Sequence, residues 1–335
     1  VFPREHERRY LDALMREIRA HAWQWTPETV YLGGGTPSNL APGDLAGILD
    51  AIPGRPWAEA TIEAAPGGIT TALARAWTAA GIDRASLGVQ SFVEGEIRGT
   101  GRKHTAAIVA REIEILRDAG IRAINIDLIA GLSLQTAASW RESLDWIARL
   151  APEHVSVYML EVDGDSRLGA EMLLGGVRYG AAETPSEDAT AGFYETAVER
   201  LAALGLARYE ISNFARPGFE SLHNLKYWKL EPYVGFGADA HSYDGRVRTQ
   251  NPEAVDEYLA GGATEAVPAG DDERLFVGLR LSAGVRPTAA EWRRFDAPIH
   301  RFVEAGLLES ADGILRLTSR GVMLSNEVFQ EFLAQ

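Results

Sequence analysis

Short apolar runs begin near residues 30, 61, 85, 123 and 154, and longer amphipathic stretches lie between them. Thr29-Val30-Tyr31-Leu32, Thr61 to Ala64, Arg84 to Gln90, Ala123 to Ile129 and His154 to Leu160 read as strands. Asp44 to Ala51, Thr71 to Ala80, Thr105 to Ala119 and Ala137 to Leu150 have helical spacing of apolar residues. Ala80-Gly81-Ile82 and Ala119-Gly120-Ile121 have the form of a glycine helix cap leading into a strand. Such alternation is the pattern of parallel strands joined by crossover helices. The opening stretch, Arg4 to Ala22, carries Tyr10, Leu11, Leu14, Met15 and Ile18 at helical spacing. A barrel that opens on a helix is expected to have had a strand before it. An open barrel without its first strand therefore fits better than a complete eight-stranded one. The chain begins with Val1, so an upstream segment is expected.

Beyond residue 160 the rhythm changes. Val162 to Glu187 reads as a loop, Ser186 to Leu204 as a helix, Tyr209 to Phe214 as a strand, and Gly235 to Asp244 as a glycine-punctuated loop holding His241. From about residue 271 the pattern is mainly helical. A hairpin is expected over 307–317 with a helix after it, which together suggest a winged-helix-like module. Three segments result: 1–165, a partial barrel; 166–265, an extension; and 266–335, a helical C-terminal domain.

Charge excludes some functions. Lys and Arg number 33 against 47 Asp and Glu, a net charge of −14, which argues against a nucleic-acid groove. No apolar run reaches the ~20 residues of a membrane span. No secretory signal is visible, which favours the cytoplasm. The cysteine count is zero, so within this chain there is no disulfide, thiolate nucleophile, thiolate-held zinc or cysteine-held iron–sulfur cluster.

In parallel α/β folds chemistry collects at the C-terminal ends of the strands. Here those ends carry Gly33-Gly34-Gly35-Thr36, then Glu63, then Gln90, then Asn125 and Asp127, then Tyr158 and Glu161. Five strands supplying polar residues suggest a ring around a pocket. The glycines either bring backbone groups close to a ligand or make a tight turn. They form neither a Walker loop nor a dinucleotide fingerprint. Glu63 and Asp127 could be a catalytic pair, could hold an ammonium or ribose hydroxyls, or could be structural. Arg102 is a carboxylate partner or an exposed loop charge. In Ser221-Leu222-His223-Asn224-Leu225-Lys226-Tyr227-Trp228, an imidazole beside two aromatics suits a flat ligand, haem included, or packs in the core. A two-histidine metal site with His241 is a weaker option.

The ordered set of motifs resembles the HemW family. Its members are Tyr31-Leu32-Gly33-Gly34-Gly35-Thr36-Pro37-Ser38, Ile62-Glu63-Ala64-Ala65-Pro66, Ser86-Leu87-Gly88-Val89-Gln90-Ser91-Phe92, Gly101-Arg102-Lys103-His104, Asn125-Ile126-Asp127-Leu128-Ile129-Ala130-Gly131-Leu132, His154-Val155-Ser156-Val157-Tyr158, Tyr209-Glu210-Ile211-Ser212-Asn213-Phe214-Ala215 and His223-Asn224-Leu225-Lys226-Tyr227-Trp228. The family consists of radical S-adenosylmethionine (SAM) proteins that act as haem chaperones and are relatives of oxygen-independent coproporphyrinogen III oxidase. The resemblance implies a partial (β/α)6 open barrel binding SAM at its strand ends, followed by the helical region. It implies that Gly34, Gly35, Thr36 and Glu63 bind SAM, and that Gln90, Arg102 and Asp127 match positions lining a second SAM site in the coproporphyrinogen oxidase relatives. It implies that His223 ligates haem iron, with Tyr227 and Trp228 beside the porphyrin. Haem-accepting proteins are the implied partners, and a homodimer is allowed. The family's [4Fe–4S] cluster needs a Cys-x-x-x-Cys-x-x-Cys loop, so cluster and radical activity are expected only if a missing upstream segment supplies the cysteines. The competing readings are a coproporphyrinogen III dehydrogenase, a barrel hydrolase or lyase using Glu63 and Asp127, and a winged-helix transcription factor.

Overall fold

The computed structural model describes residues 4–160, 182–270 and 273–333. It divides into two compact units. The first to consider spans Val30–Pro42 and Glu59–Glu220. It is built on one open sheet of β1 (Thr29–Leu32), β2 (Glu59–Ala64), β3 (Arg84–Gln90), β4 (Ala123–Ala130), β5 (His154–Met159), β6 (Ala207–Arg208) and β7 (Asn213–Ala215), in the order β1-β2-β3-β4-β5-β7-β6. Strands β2, β3, β4 and β5 run parallel to one another. β7 runs antiparallel to both β5 and β6.

The crossover helices Thr71–Ala79, Ala106–Asp118 and Ala137–Leu150, and the later Glu187–Ala203, begin alike. Thr70, Thr105, Thr136 and Ser186 each accept a backbone N–H from the third helical residue, satisfying a donor the helix itself leaves unpaired. Gly81 and Gly120 take φ of +95° and +94° just beyond two of these helices, turning the chain into the next strand as the sequence predicts. Trp77 and Trp140 are fully buried, and the Trp140 indole donates to Phe193 O at 2.7 Å.

Side chains alternate between sheet faces with a period of two. One face carries Ile62, Leu87, Val89, Ile124, Ile126, Leu128, Val155 and Val157, each at most 1% exposed. The other carries Thr61, Glu63, Ser86, Asn125, Asp127, His154, Ser156 and Tyr158. The register aligns them in rows: Glu63 beside Ser86, Ser86 beside Asn125, Asn125 beside His154, and then Gly88 beside Asp127 beside Ser156. Polar chemistry therefore covers a whole sheet face, not only the strand ends.

Two sequence expectations need correction. Tyr209 to Phe214 is not one strand but β6 and β7 with a bend between them. The Glu210 carboxylate accepts from Ser212 N at 2.8 Å and the Tyr194 hydroxyl donates to Ile211 O, which tie down the bend. The loop expected over Gly235 to Asp244 contains β8 (His241–Tyr243), whose antiparallel partner is β9 (Val247–Gln250), paired in turn with β10 (Glu265–Pro268). Asp244 closes that hairpin by accepting from Arg246 N and Val247 N, both at 2.8 Å. Beyond β5 the sheet continues with the antiparallel β7. Glu161, and most of the loop expected from Val162 to Glu187, lie outside the described residues.

The other unit comprises Val1–Thr29, Gly43–Ala58 and Ser221–Gln335. In it Glu17, on the Arg4–Ala20 helix, accepts from Gly237 N, Asn251 Nδ2 and Tyr258 OH at 2.9, 2.7 and 2.6 Å. This one carboxylate holds the glycine-rich segment and the β9 end to the helix. After residue 273 the described chain is mainly helical, with one hairpin of β11 (Leu308–Ala311) and β12 (Ile314–Leu317). Helices Ser319–Met323 and Ser325–Gln330 follow that hairpin, as expected.

Candidate functional site

The polar sheet face carries the first site. Tyr31 donates to Glu63 Oε1 at 2.7 Å. A Cβ on Gly33 would lie 2.9 Å from the Tyr31 ring and 3.2 Å from Glu63 Oε1, so glycine is required where the chain passes that pair. Among the described residues, nothing lies within 4 Å of the Cβ positions of Gly34, at φ +96°, and Gly35, which leaves space beside their backbone. Thr36 is exposed and its side chain caps nothing in the short 3-10 helix Pro37–Asn39.

Asp127 sits in the middle of the face. Burial pushes its carboxyl up to about 6, against hydrogen bonds from Ser156, Asn125 and Ser86, while the Glu63 charge adds to the rise. A chain of buried and part-buried side chains stands behind it. Tyr209 OH bonds His154 Nε2 at 2.9 Å, His154 Nδ1 bonds Asn125 Oδ1 at 2.7 Å, and Asn125 Nδ2 donates to Asp127 Oδ1 at 2.7 Å. Burial, with the Arg84 charge, drives His154 well below the ordinary imidazole range, so the ring is neutral and can donate at one nitrogen while accepting at the other. Ser86 donates to Asp127 Oδ2 at 3.2 Å.

Arg102 and Gln90 come to the same place. A Cβ on Gly88, which pairs with Asp127 across the strands, would lie 3.0 Å from Arg102 Nη2 and 3.3 Å from Gln90 Nε2. Glycine thus leaves the guanidinium its room. Burial lowers the Arg102 pKa and the Asp127 charge raises it. Gln90 sits at a register shift with φ +70°, and its Oε1 is buried without a partner. Burial is the main cause raising both the Tyr31 and Tyr158 phenols, and both also feel the Glu63 and Asp127 charges. Glu63, Gln90, Arg102 and Asp127 are therefore brought together with Tyr31 and Tyr158, and Gly34 to Thr36 follow directly on β1. Sequence reading missed the Tyr31 role and the His154–Tyr209 support. Period-two alternation of polar residues along β4 and β5 was the signal that could have found the support.

The second site is the Leu222–Trp228 helix, none of whose residues is buried. Its Ser221 cap accepts from Asn224 N at 3.3 Å. His223 Nδ1 lies 2.9 Å from Thr29 Oγ1, and Nε2 lies 2.8 Å from Tyr227 OH. Burial, then the Lys226 charge, lower the imidazole to about 4. Lys226 itself pairs with Glu28 and Glu231, both at 2.9 Å. The Tyr227 ring meets Tyr233 edge-on at 4.7 Å between centroids, and Arg280 lies 4.3 Å over Trp228. His241 is an exposed residue of β8. Among the described residues, no group of three or more His, Asp or Glu is placed to hold a metal ion.

Residues 2–147 match the radical SAM superfamily and residues 272–324 the HemN C-terminal domain. The heme chaperone HemW of Bacillus subtilis is 33% identical over 351 residues, covering 97% of this chain and 91% of that protein. The heme chaperone HemW of Mycobacterium tuberculosis is 34% identical, covering 97% of this chain and 86% of its own length. Among solved structures, the coproporphyrinogen III oxidase HemN of Escherichia coli, a radical SAM enzyme, superposes with a TM-score of 0.80 at 20% identity, covering 99% of this chain and 85% of that one. That likeness shows the fold: an open radical SAM barrel followed by a mostly helical region with a small hairpin. The chain belongs to the HemW family of the radical SAM superfamily.

Proposed function

We propose that this protein is a haem chaperone of the cytoplasm, which binds haem and passes it to haem-accepting proteins. The observation that carries the reading is near full-length similarity to proteins named heme chaperones. The Leu222–Trp228 helix supports it: a neutral imidazole stands beside aromatic rings on a helix with no buried residue. The coproporphyrinogen oxidase alternative rests on a 20% identical structure, which carries fold and no activity.

The polar sheet face fits SAM. Open backbone at Gly34 and Gly35, an orphaned Gln90 Oε1 and a carboxylate pair beside a guanidinium match a ligand with an ammonium, a carboxylate and ribose hydroxyls. In this reading Arg102 and the Gly34–Thr36 backbone hold the carboxylate of the methionyl end, and Glu63 and Asp127 take its ammonium and the ribose hydroxyls. SAM supplies radical chemistry in this superfamily only beside a reduced iron–sulfur cluster. This chain has no cysteine, so the family's thiolate-held cluster does not fit the residues present. The division of labour follows the three segments: SAM with 1–165, the His223 motif with 166–265, and the helical domain with 266–335.

The test is transfer. Hemin titrated into the full chain should give a saturable Soret band, and mixing with an apo-haemoprotein should move the band to that acceptor. Absence of saturable binding would sink the chaperone reading. For the SAM site, calorimetry should show Glu63→Gln and Arg102→Ala each weakening SAM on the order of tenfold, the scale of a lost charge-assisted bond.

A further inference from the structure

We propose that Thr29 and Tyr227 set the haem-binding state of His223: Thr29 orients the ring through Nδ1, and the Tyr227 hydroxyl occupies Nε2 until iron displaces it. The proposal rests on the reading of His223 as the haem ligand and adds two residues with opposite effects.

Both ring nitrogens are engaged, Nδ1 at 2.9 Å from Thr29 Oγ1 and Nε2 at 2.8 Å from Tyr227 OH. A neutral imidazole has one N–H and one lone pair. A phenol is a stronger acid than an aliphatic alcohol, hence the stronger donor. Tyr227 O–H therefore donates into Nε2, and Nδ1–H donates to Thr29 Oγ1. This tautomer places the lone pair on Nε2, the nitrogen that iron would take. Histidines that bind metals are commonly fixed by a hydrogen bond at the other nitrogen, which also makes them better ligands. Thr29 has that place here, reaching His223 across 194 residues of sequence.

The Nε2 partner differs in kind. Tyr227 lies four residues along the same helix, and that helix has no buried residue. Turning its hydroxyl away breaks one N···H–O bond between part-buried side chains. Iron competes with one phenol proton bond for the same lone pair, and Tyr227 is a displaceable cap.

Soret titrations with hemin on the full chain test this, with metal-free protoporphyrin IX as the iron-independent probe. Tyr227→Phe keeps the ring against Tyr233 and removes only the hydroxyl. It should tighten hemin binding roughly 2- to 10-fold, the scale of one net hydrogen bond. Thr29→Val should weaken hemin several-fold and shift the Soret maximum, and Thr29→Ser should restore both. Thr29→Val and Thr29→Ser should leave protoporphyrin IX binding unchanged. Circular dichroism melts confirm that each variant folds, and the serine and phenylalanine variants keep the test alive should the valine variant not fold. Unchanged or weaker hemin binding in Tyr227→Phe overturns the proposal. If His223→Ala shifts the Soret band while Thr29→Val and Tyr227→Phe behave as wild type, the proposal falls and the ligand reading stands. If His223→Ala leaves the band unchanged, both fall.

Discussion

At Gly88 and Asp127 single atoms decide what the polar face can hold. A methyl group at position 88 would meet Arg102 Nη2 at 3.0 Å, the far end of a flexible side chain, which can move aside. Gly88→Ala should therefore shift the melting temperature little yet weaken SAM binding on the order of tenfold, since Arg102 loses its seat. A melt that collapses, or calorimetry that shows wild-type affinity, would remove Arg102 from the site. Asp127 gives a pH dependence. Its carboxyl is raised to about 6 by burial, so in the unfolded chain it gives up its proton more readily than in the fold. Its charge costs stability above pH 6, and the cost fades as pH falls toward the unfolded value. Asp127→Asn should raise the melting temperature at pH 7.5 and change it far less at pH 4.5. In the wild type, SAM affinity should drop as pH falls through about 6, because the ionised carboxylate is the form that binds an ammonium.

Among the elements, the segment after β2 shows how a site loop is held by a residue distant in sequence. Glu112, on the Ala106–Asp118 helix, accepts from Gly67 N with both oxygens at 3.0 Å and from Ile69 N at 2.8 Å. This pins the stretch that leaves Glu63. Glu112→Ala leaves those donors without their acceptor. It should cost roughly 1–3 kcal/mol of stability in urea unfolding, and SAM should bind less tightly as Glu63 loses its support. Wild-type affinity in the folded variant would show the loop to be independent of the site. The helices and strands on either side were legible in the sequence because their signals are local: apolar period, a Thr or Ser cap, a terminal glycine. Glu112 was not, because an acidic residue inside a helical pattern looks solvent-facing until the loop that covers it is in place.

Over the whole molecule, acid stability follows from imidazoles held neutral. His154 lies well below the ordinary range and His223 near 4, both chiefly through burial. In the unfolded chain each takes a proton near pH 6.5, so stability should be full above that and fall progressively toward pH 4. Melting temperatures between pH 7.5 and 5 should drop, and the drop should shrink in His223→Gln. An equal drop in that variant would place the acid sensitivity elsewhere. What the amino-acid order determined alone is the alternation of strand and helix, with β1 to β5 starting within two residues of where the apolar runs begin, because hydrophobic period is written locally. It also determined which polar residues lie at the ends of those strands. Only the tertiary structure decided which partners they meet: Arg102 in the space above Gly88, His223 against Thr29, Tyr209 behind His154, and β7 antiparallel beside β5. Hydrogen bonds between residues far apart in the chain depend on packing that brings their elements together, and no local period encodes that.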